Sequence, residues 1–188
     1  MSPSATPSER RLRRALAGLA LLGSAAAARA AGLLSQEEAL KLAFPGCQVQ
    51  RETVFLTPEQ KAEAGRLAGT PVESGLVYPY RATCAGVPGG SAYFDTHRVR
   101  TQPETLMVVV TPEGKVGRLE VVAFAEPPEY LPRAPWYRQF DGDALGSELE
   151  LGRGVRAVTG ATLTARATTE AVRRILALHQ VLGKASPP

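Results

Sequence analysis

The chain has 188 residues, with 22 basic and 18 acidic side chains, a formal net charge of +4 and two cysteines. That length suits one domain with an adequate core, and two cysteines are too few for a disulfide-rich scaffold. The positive charge sits at the start: residues 1–30 hold five arginines and one glutamate, leaving 17 basic and 17 acidic residues. A nucleic-acid role therefore has no compositional support beyond that segment.

Glu9-Arg10-Arg11-Leu12-Arg13-Arg14 leads into an apolar run, Ala15–Ala28, and then Ala28-Arg29-Ala30. A basic start, a short apolar core and a small-x-small end predict a secretory signal peptide over residues 1–30, cleaved after Ala30. The apolar run has 14 residues, short of the ~20 a membrane-spanning helix needs. An uncleaved anchor is the competing reading. The expected location is exported, periplasmic or on the outer face of the cytoplasmic membrane. Cys47 and Cys84 both lie in the exported part, and the sequence leaves open whether they bridge or stay as thiols.

Ser35-Gln36-Glu37-Glu38 reads as a capping box opening a short helix that Pro45-Gly46 stops. Val49–Leu56 reads as one strand. Thr57-Pro58-Glu59-Gln60 opens a second helix, ending near Gly65 or Gly69. Gly75–Ala82 reads as a strand at a sheet edge because of Pro79, and Ser91–Thr96 as another. Glu104–Thr111 and Lys115–Ala125 form the clearest hairpin, joined at Pro112-Glu113-Gly114. Leu106, Val108 and Val110 fall on one face, with Leu119, Val121 and Ala123 expected to face likewise. Pro127–Pro135 is irregular, and Trp136–Phe140 starts a short helix. Ala165–Leu178 carries a long helical pattern. The sum is an α+β domain, a mainly antiparallel sheet with packed helices, over residues 31–188.

Val158-Thr159-Gly160-Ala161-Thr162-Leu163-Thr164 stands where that last helix begins. Unpaired N–H groups and the positive dipole end of a helix start suit a phosphate. Gly160 permits a sharp turn, and the hydroxyls either cap the helix or meet phosphate oxygens. A helix capped by threonine without any ligand is the plainer reading of the same residues.

Thr159-Gly160-Ala161-Thr162-Leu163-Thr164 resembles the (Ser/Thr)-Gly-Ala-Thr-x-(Ser/Thr) signature of the FMN-binding domain family. That family includes the peripheral flavin subunits of the sodium-pumping NADH:quinone reductase and of the Rnf complex. Glu126-Pro127-Pro128-Glu129-Tyr130 and Trp136-Tyr137-Arg138-Gln139-Phe140-Asp141-Gly142 resemble the family's segment upstream of the signature. The resemblance implies FMN as cofactor, esterified through its phosphate to Thr162 by a flavin transferase that uses FAD. It places Thr159, Gly160, Ala161, Leu163 and Thr164 around the phosphate. Flavinylated relatives usually carry aspartate three residues before the signature; this chain has Arg156, whose guanidinium suits phosphate oxygens.

Trp136, Tyr137, Phe140, Tyr130 and Tyr93 are the aromatics available to a flavin ring. Trp136 and Tyr130 are the two assigned to it, and Glu129 is read as a loop carboxylate facing water. His97 and His179 belong to no metal-ligand spacing. Neither a hydrolase nucleophile motif nor a dinucleotide fingerprint is present in the sequence. The function implied is electron transfer by an exported flavoprotein with redox partner proteins, some of them membrane-bound. The alternatives are a flavin-dependent reductase domain working with a companion subunit, and a non-redox module that has lost flavin.

Overall fold

The computed structural model describes residues 33–185, so the signal-peptide reading of residues 1–30 lies outside the described residues. Four helices pack with a five-stranded antiparallel sheet and a two-stranded one. This is the α+β architecture the sequence implies. In chain order the elements are α1 (Gln36–Ala43), β1 (Gln48–Arg51), β2 (Val54–Phe55), α2 (Pro58–Ala68), β3 (Leu76–Val77) and β4 (Tyr80–Cys84). There follow β5 (Val87–Arg98), β6 (Pro103–Val110), β7 (Val116–Phe124), α3 (Ala134–Tyr137) and α4 (Thr162–Ala185). Among the described residues no helix is long and apolar enough to cross a membrane.

Helices α1 and α2 both start on capping boxes. The Ser35 hydroxyl accepts from Glu38 N while Glu38 accepts from Ser35 N, and Thr57 and Gln60 repeat the exchange at α2. Two orphan donors are satisfied at each start. Gly69, in the left-handed region at φ +72°, closes α2.

The large sheet runs β1-β4-β5-β6-β7. It is buried on both faces. Tyr93, Leu106, Val108, Val110 and Leu119 pack with α2 and α4, and Ala92, Met107, Val109 and Val122 pack beneath α1. Val49–Leu56, expected as one strand, is two: β1 pairs with β4 in the large sheet, and β2 pairs with β3 in the small one. The chain changes sheets between Arg51 and Val54, which a continuous β-branched pattern does not reveal. Gly75–Ala82 divides in the same way, and its second half, β4, is an interior strand rather than an edge. Pro79 lies in the gap between β3 and β4, where its carbonyl accepts from Glu52 N and its missing N–H costs no ladder bond. Ala123 also departs from expectation. A register shift between Thr105 and Leu106 sets Ala123 opposite Thr105 while Val121 stays opposite Leu106.

β4 and β5 are joined by Ala85 and Gly86, both with positive φ (51° and 84°), a two-residue hairpin turn that matches strand twist. The β1–β4 ladder, in which Gln48 faces Thr83, brings Cys84 beside Cys47, the residue just before β1. The two cysteines are bridged, with α-carbons 4.4 Å apart, which resolves the open pairing. A side chain at Gly89 would run into the Cys84 sulfur, so the bridge fixes that residue as glycine.

Closing a loop of 37 residues restricts the unfolded chain by about 4 kcal/mol in the chain-entropy picture. Replacing both cysteines by serine is therefore expected to lower unfolding free energy by roughly 2–4 kcal/mol. Urea denaturation of the oxidised protein and of the double variant, compared at one pH, measures it.

Candidate functional site

Three segments converge on the start of α4. Arg156 is gripped by its backbone: Trp136 Nε1 donates to its carbonyl at 2.7 Å, and its N–H donates to Gln139 Oε1 at 2.8 Å. The two gripping side chains stand three residues apart, one helical turn, which explains the Trp-x-x-Gln spacing. Trp136 is itself seated edge-on against Tyr137 and Phe140, with ring centroids 5.0 and 5.4 Å away. From this clamp the chain passes through Val158 to Gly160 at φ +83°, a conformation that favours glycine. Ala161 N then donates to the Val158 carbonyl, and the Ala161 carbonyl accepts the first helical bond from Ala165.

Thr159, Gly160 and Thr162 are exposed, and Leu163 retains 49% of its surface. The Thr162 hydroxyl makes a long contact, 3.3 Å, to the Val158 carbonyl. Thr164 is different: it is buried, and its hydroxyl donates to the Tyr130 carbonyl at 2.7 Å. It holds α4 against the Pro128–Tyr130 turn and so shapes the site from inside. Ala161 is likewise buried. Among the described residues no side chain accepts from the first N–H groups of α4, so the threonines do not cap the helix. Those N–H groups, the exposed hydroxyls of Thr159 and Thr162 and the exposed Arg156 guanidinium form a donor set suited to a phosphate.

The aromatics sort themselves by burial. Tyr93, Tyr137 and Phe140 are core residues. Trp136 is half-buried and its indole N–H is committed to Arg156. The Tyr130 ring lies under the Arg100 guanidinium, 4.6 Å from its centroid. Glu129 faces water, as expected.

Residues 101–177 match the family model described as FMN-binding domain. The chain carries an FMN-binding domain. FMN is the cofactor of this domain, and the protein is a flavoprotein. No curated protein and no solved structure matches the chain. The donor set at the turn fits the phosphate of FMN.

Sequence reasoning missed two arrangements around this site. Glu126, rather than Glu129, is the working carboxylate of the Glu-Pro-Pro-Glu-Tyr segment. Its Oε1 accepts the N–H groups of Arg100, Thr101 and Gln102 at 3.0, 2.6 and 2.8 Å. The Gln102, Thr101 and Arg100 amides hold its carboxyl below the usual range. The second arrangement lies under α4. Arg174 donates twice to Asp95 at 2.9 and 2.8 Å, His97 bridges Asp95 (2.9 Å) and Glu104 (3.1 Å), and Thr168 reaches Glu104 at 3.4 Å. Glu104 is fully buried. The signal was present, since Glu104 continues the period-two face of Leu106, Val108 and Val110 toward the helix.

Burial opposes a charged His97, but hydrogen bonds and charge from Asp95 and Glu104 outweigh it and push its pKa up to about 9. A group raised above its unfolded value stabilises the fold fully below the unfolded pKa, near 6.5, and loses that contribution as pH rises through 9. Stability is therefore expected to fall between about pH 6.5 and 9. In His97→Gln that alkaline decline should flatten. Unfolding free energies of both proteins across this range check it.

The clamp predicts a second effect. Trp136→Phe and Gln139→Leu each remove one of the two bonds to the Arg156 backbone, at an expected cost of about 1 kcal/mol. Amide exchange at residues 157–161 should quicken while the sheet stays protected.

Proposed function

We propose that the protein is an exported electron-transfer flavoprotein that carries FMN through a phosphoester on Thr162. The observation that carries this reading is the exposed Thr162 at the open start of α4, two residues after the Gly160 bend. Gly160 and the clamped Arg156 backbone set the direction of the turn. The first-turn N–H groups and the Arg156 guanidinium balance the phosphate charge. Val158 accepts from the Thr162 hydroxyl, turning its lone pairs toward solvent. Attachment joins Thr162 Oγ1 to the FMN phosphorus of FAD, breaks the bond to AMP and releases the hydroxyl proton. Catalysis of that step falls to a flavin transferase. When bound, FMN supplies one- or two-electron transfer. Leu163, apolar and exposed beside Thr162, and Tyr130 and Trp136 offer apolar surface toward the ring. Redox partner proteins, some of them membrane-bound, would supply and take the electrons.

The test is mass spectrometry of the tryptic peptide Ala157–Arg166, which holds Thr159, Thr162 and Thr164. Beside an active transferase the peptide should gain the mass of FMN less water, with fragmentation placing it on Thr162. Thr162→Val should abolish the gain and leave the fold intact, and Arg156→Asp, whose tryptic peptide starts at Gly154 instead, should not reduce it. An unmodified wild-type peptide, together with no binding of free FMN, ends this reading. N-terminal sequencing of the native protein should begin at Ala31; a retained Arg13–Leu22 segment in the membrane fraction would show an anchor.

A further inference from the structure

The loop between β5 and β6 is held by one buried carboxylate. Glu126, 7% exposed, uses a single oxygen to accept the N–H groups of Arg100, Thr101 and Gln102. Three successive N–H groups turned onto one oxygen form an anion-binding nest. They fix the stretch of backbone from which the Arg100 side chain leaves.

Arg100 does not spend its guanidinium on the carboxylate that holds its backbone. Among the described residues the guanidinium has neither an ion-pair partner nor a hydrogen-bond acceptor, and it lies over the Tyr130 ring, 4.6 Å from the centroid. A guanidinium stacked on a ring keeps its N–H groups in the plane of the fork, open to a second acceptor. Tyr130 is tied in turn to the start of α4. Its carbonyl accepts from the Thr164 hydroxyl at 2.7 Å, and Thr164 stands two residues after Thr162. Contacts therefore run without a break from Glu126 through Arg100 and Tyr130 to the Thr159–Thr164 turn. The polar group they leave uncommitted is an exposed cation.

The fold does not require that cation. Closing the loop uses the main-chain N–H of residue 100, which any residue but proline supplies. Covering the Tyr130 ring needs only an aliphatic stem. Arg100 also lies just outside the segment matched to the family, which begins at residue 101.

We propose, resting on FMN attachment at Thr162, that Arg100 is the cation that faces the flavin ring and stabilises the charge the ring gains on reduction. Two electrons and one proton leave the flavin with one negative charge, shared over the edge that bears its two carbonyl groups. That edge presents neighbouring acceptors, which a guanidinium fork can meet together. A cation held there by the loop favours the reduced form and raises the midpoint potential. Glu126 is the positioning residue, since it sets the loop and touches no part of the ring.

The test is reductive titration of the flavin-loaded protein with dithionite, read by absorbance against a reference dye of known potential. Loading is checked by the mass of the Ala157–Arg166 peptide, which substitutions at Arg100 leave unchanged. Arg100→Gln alters one exposed side chain, so the fold should hold. It should lower the equilibrium constant for reduction about tenfold, the effect of one charge-assisted hydrogen bond, or about 30 mV for a two-electron couple. Arg100→Lys keeps the charge but loses the fork, and its potential should fall between the two. Arg51→Gln removes the same charge from the edge strand β1 and should leave the potential where it was. An unshifted potential in Arg100→Gln overturns the proposal. So does an equal fall in Arg51→Gln, which would report net charge instead of contact. Either result leaves the peptide mass, and with it the attachment reading, standing. Wild-type protein that takes up no FMN, attached or free, ends both readings together.

Discussion

Ala165, Thr168, Ala171, Val172, Ile175, Leu178 and Leu182 line one face of α4 and are buried with the sheet and α2. That contact is the constraint on which the other features hang. The helix begins at the Thr159–Thr164 turn and borders a large cleft further along, so its placement against β5 and β6 fixes both at once. Apolar burial supplies the attraction but no register, because aliphatic contacts are non-directional. Register comes from polar groups on the same face: Thr164 to the Tyr130 carbonyl, Thr168 to Glu104, Arg174 to Asp95. A helix slipped by one turn would strip Asp95 of Arg174 and Glu104 of Thr168, leaving each buried carboxylate only its contact to His97.

The loop before the helix needs a separate device. Between Ala144 and Ala161 the chain forms no helix and only single bridges and short turn bonds, so its own hydrogen bonding ties Thr162 only to its near neighbour Val158. Buried Leu149 and Val155 pin it to the core, and the Trp136–Gln139 clamp holds the peptide that leads into the turn. Arg173 adds a tie from the helix side by donating to the Gly146 and Leu149 carbonyls. Rigid neighbours thus position a loop residue, the usual arrangement for a binding site.

Much of this was legible in the residues, and the illegible part has physical causes. Capping boxes, the Pro58 start and the 106/108/110 alternation announce α1, α2 and the central hairpin because they are local patterns. The sheet change after Arg51 and the interior position of β4 were not legible, since which sheet a short strand joins is decided by distant partners. At the site, the signature located the turn and Thr162. It placed Thr164 at the phosphate beside Thr162, whereas the Thr164 hydroxyl is consumed by the Tyr130 carbonyl and Thr162 is exposed. Both are threonines on the first turn, and only the path of the 128–130 segment separates them. Trp136 was read only as an aromatic for the ring, and its bond to a carbonyl twenty residues away was not foreseen.

The clamp also explains why Arg156 can stand where flavinylated relatives carry aspartate. Trp136 and Gln139 bond only its carbonyl and its N–H, and its side chain is exposed. Exchange of one side chain for the other therefore leaves the turn's geometry untouched and changes charge alone, by two units. Toward a bound phosphate that change is favourable, since guanidinium pairs with phosphate oxygens where carboxylate repels them. Toward an approaching protein the sign is reversed for any surface that meets a carboxylate there. Under the proposed attachment at Thr162, position 156 would bear on holding the phosphate and on meeting a transferase in opposite senses, with arginine favouring the first.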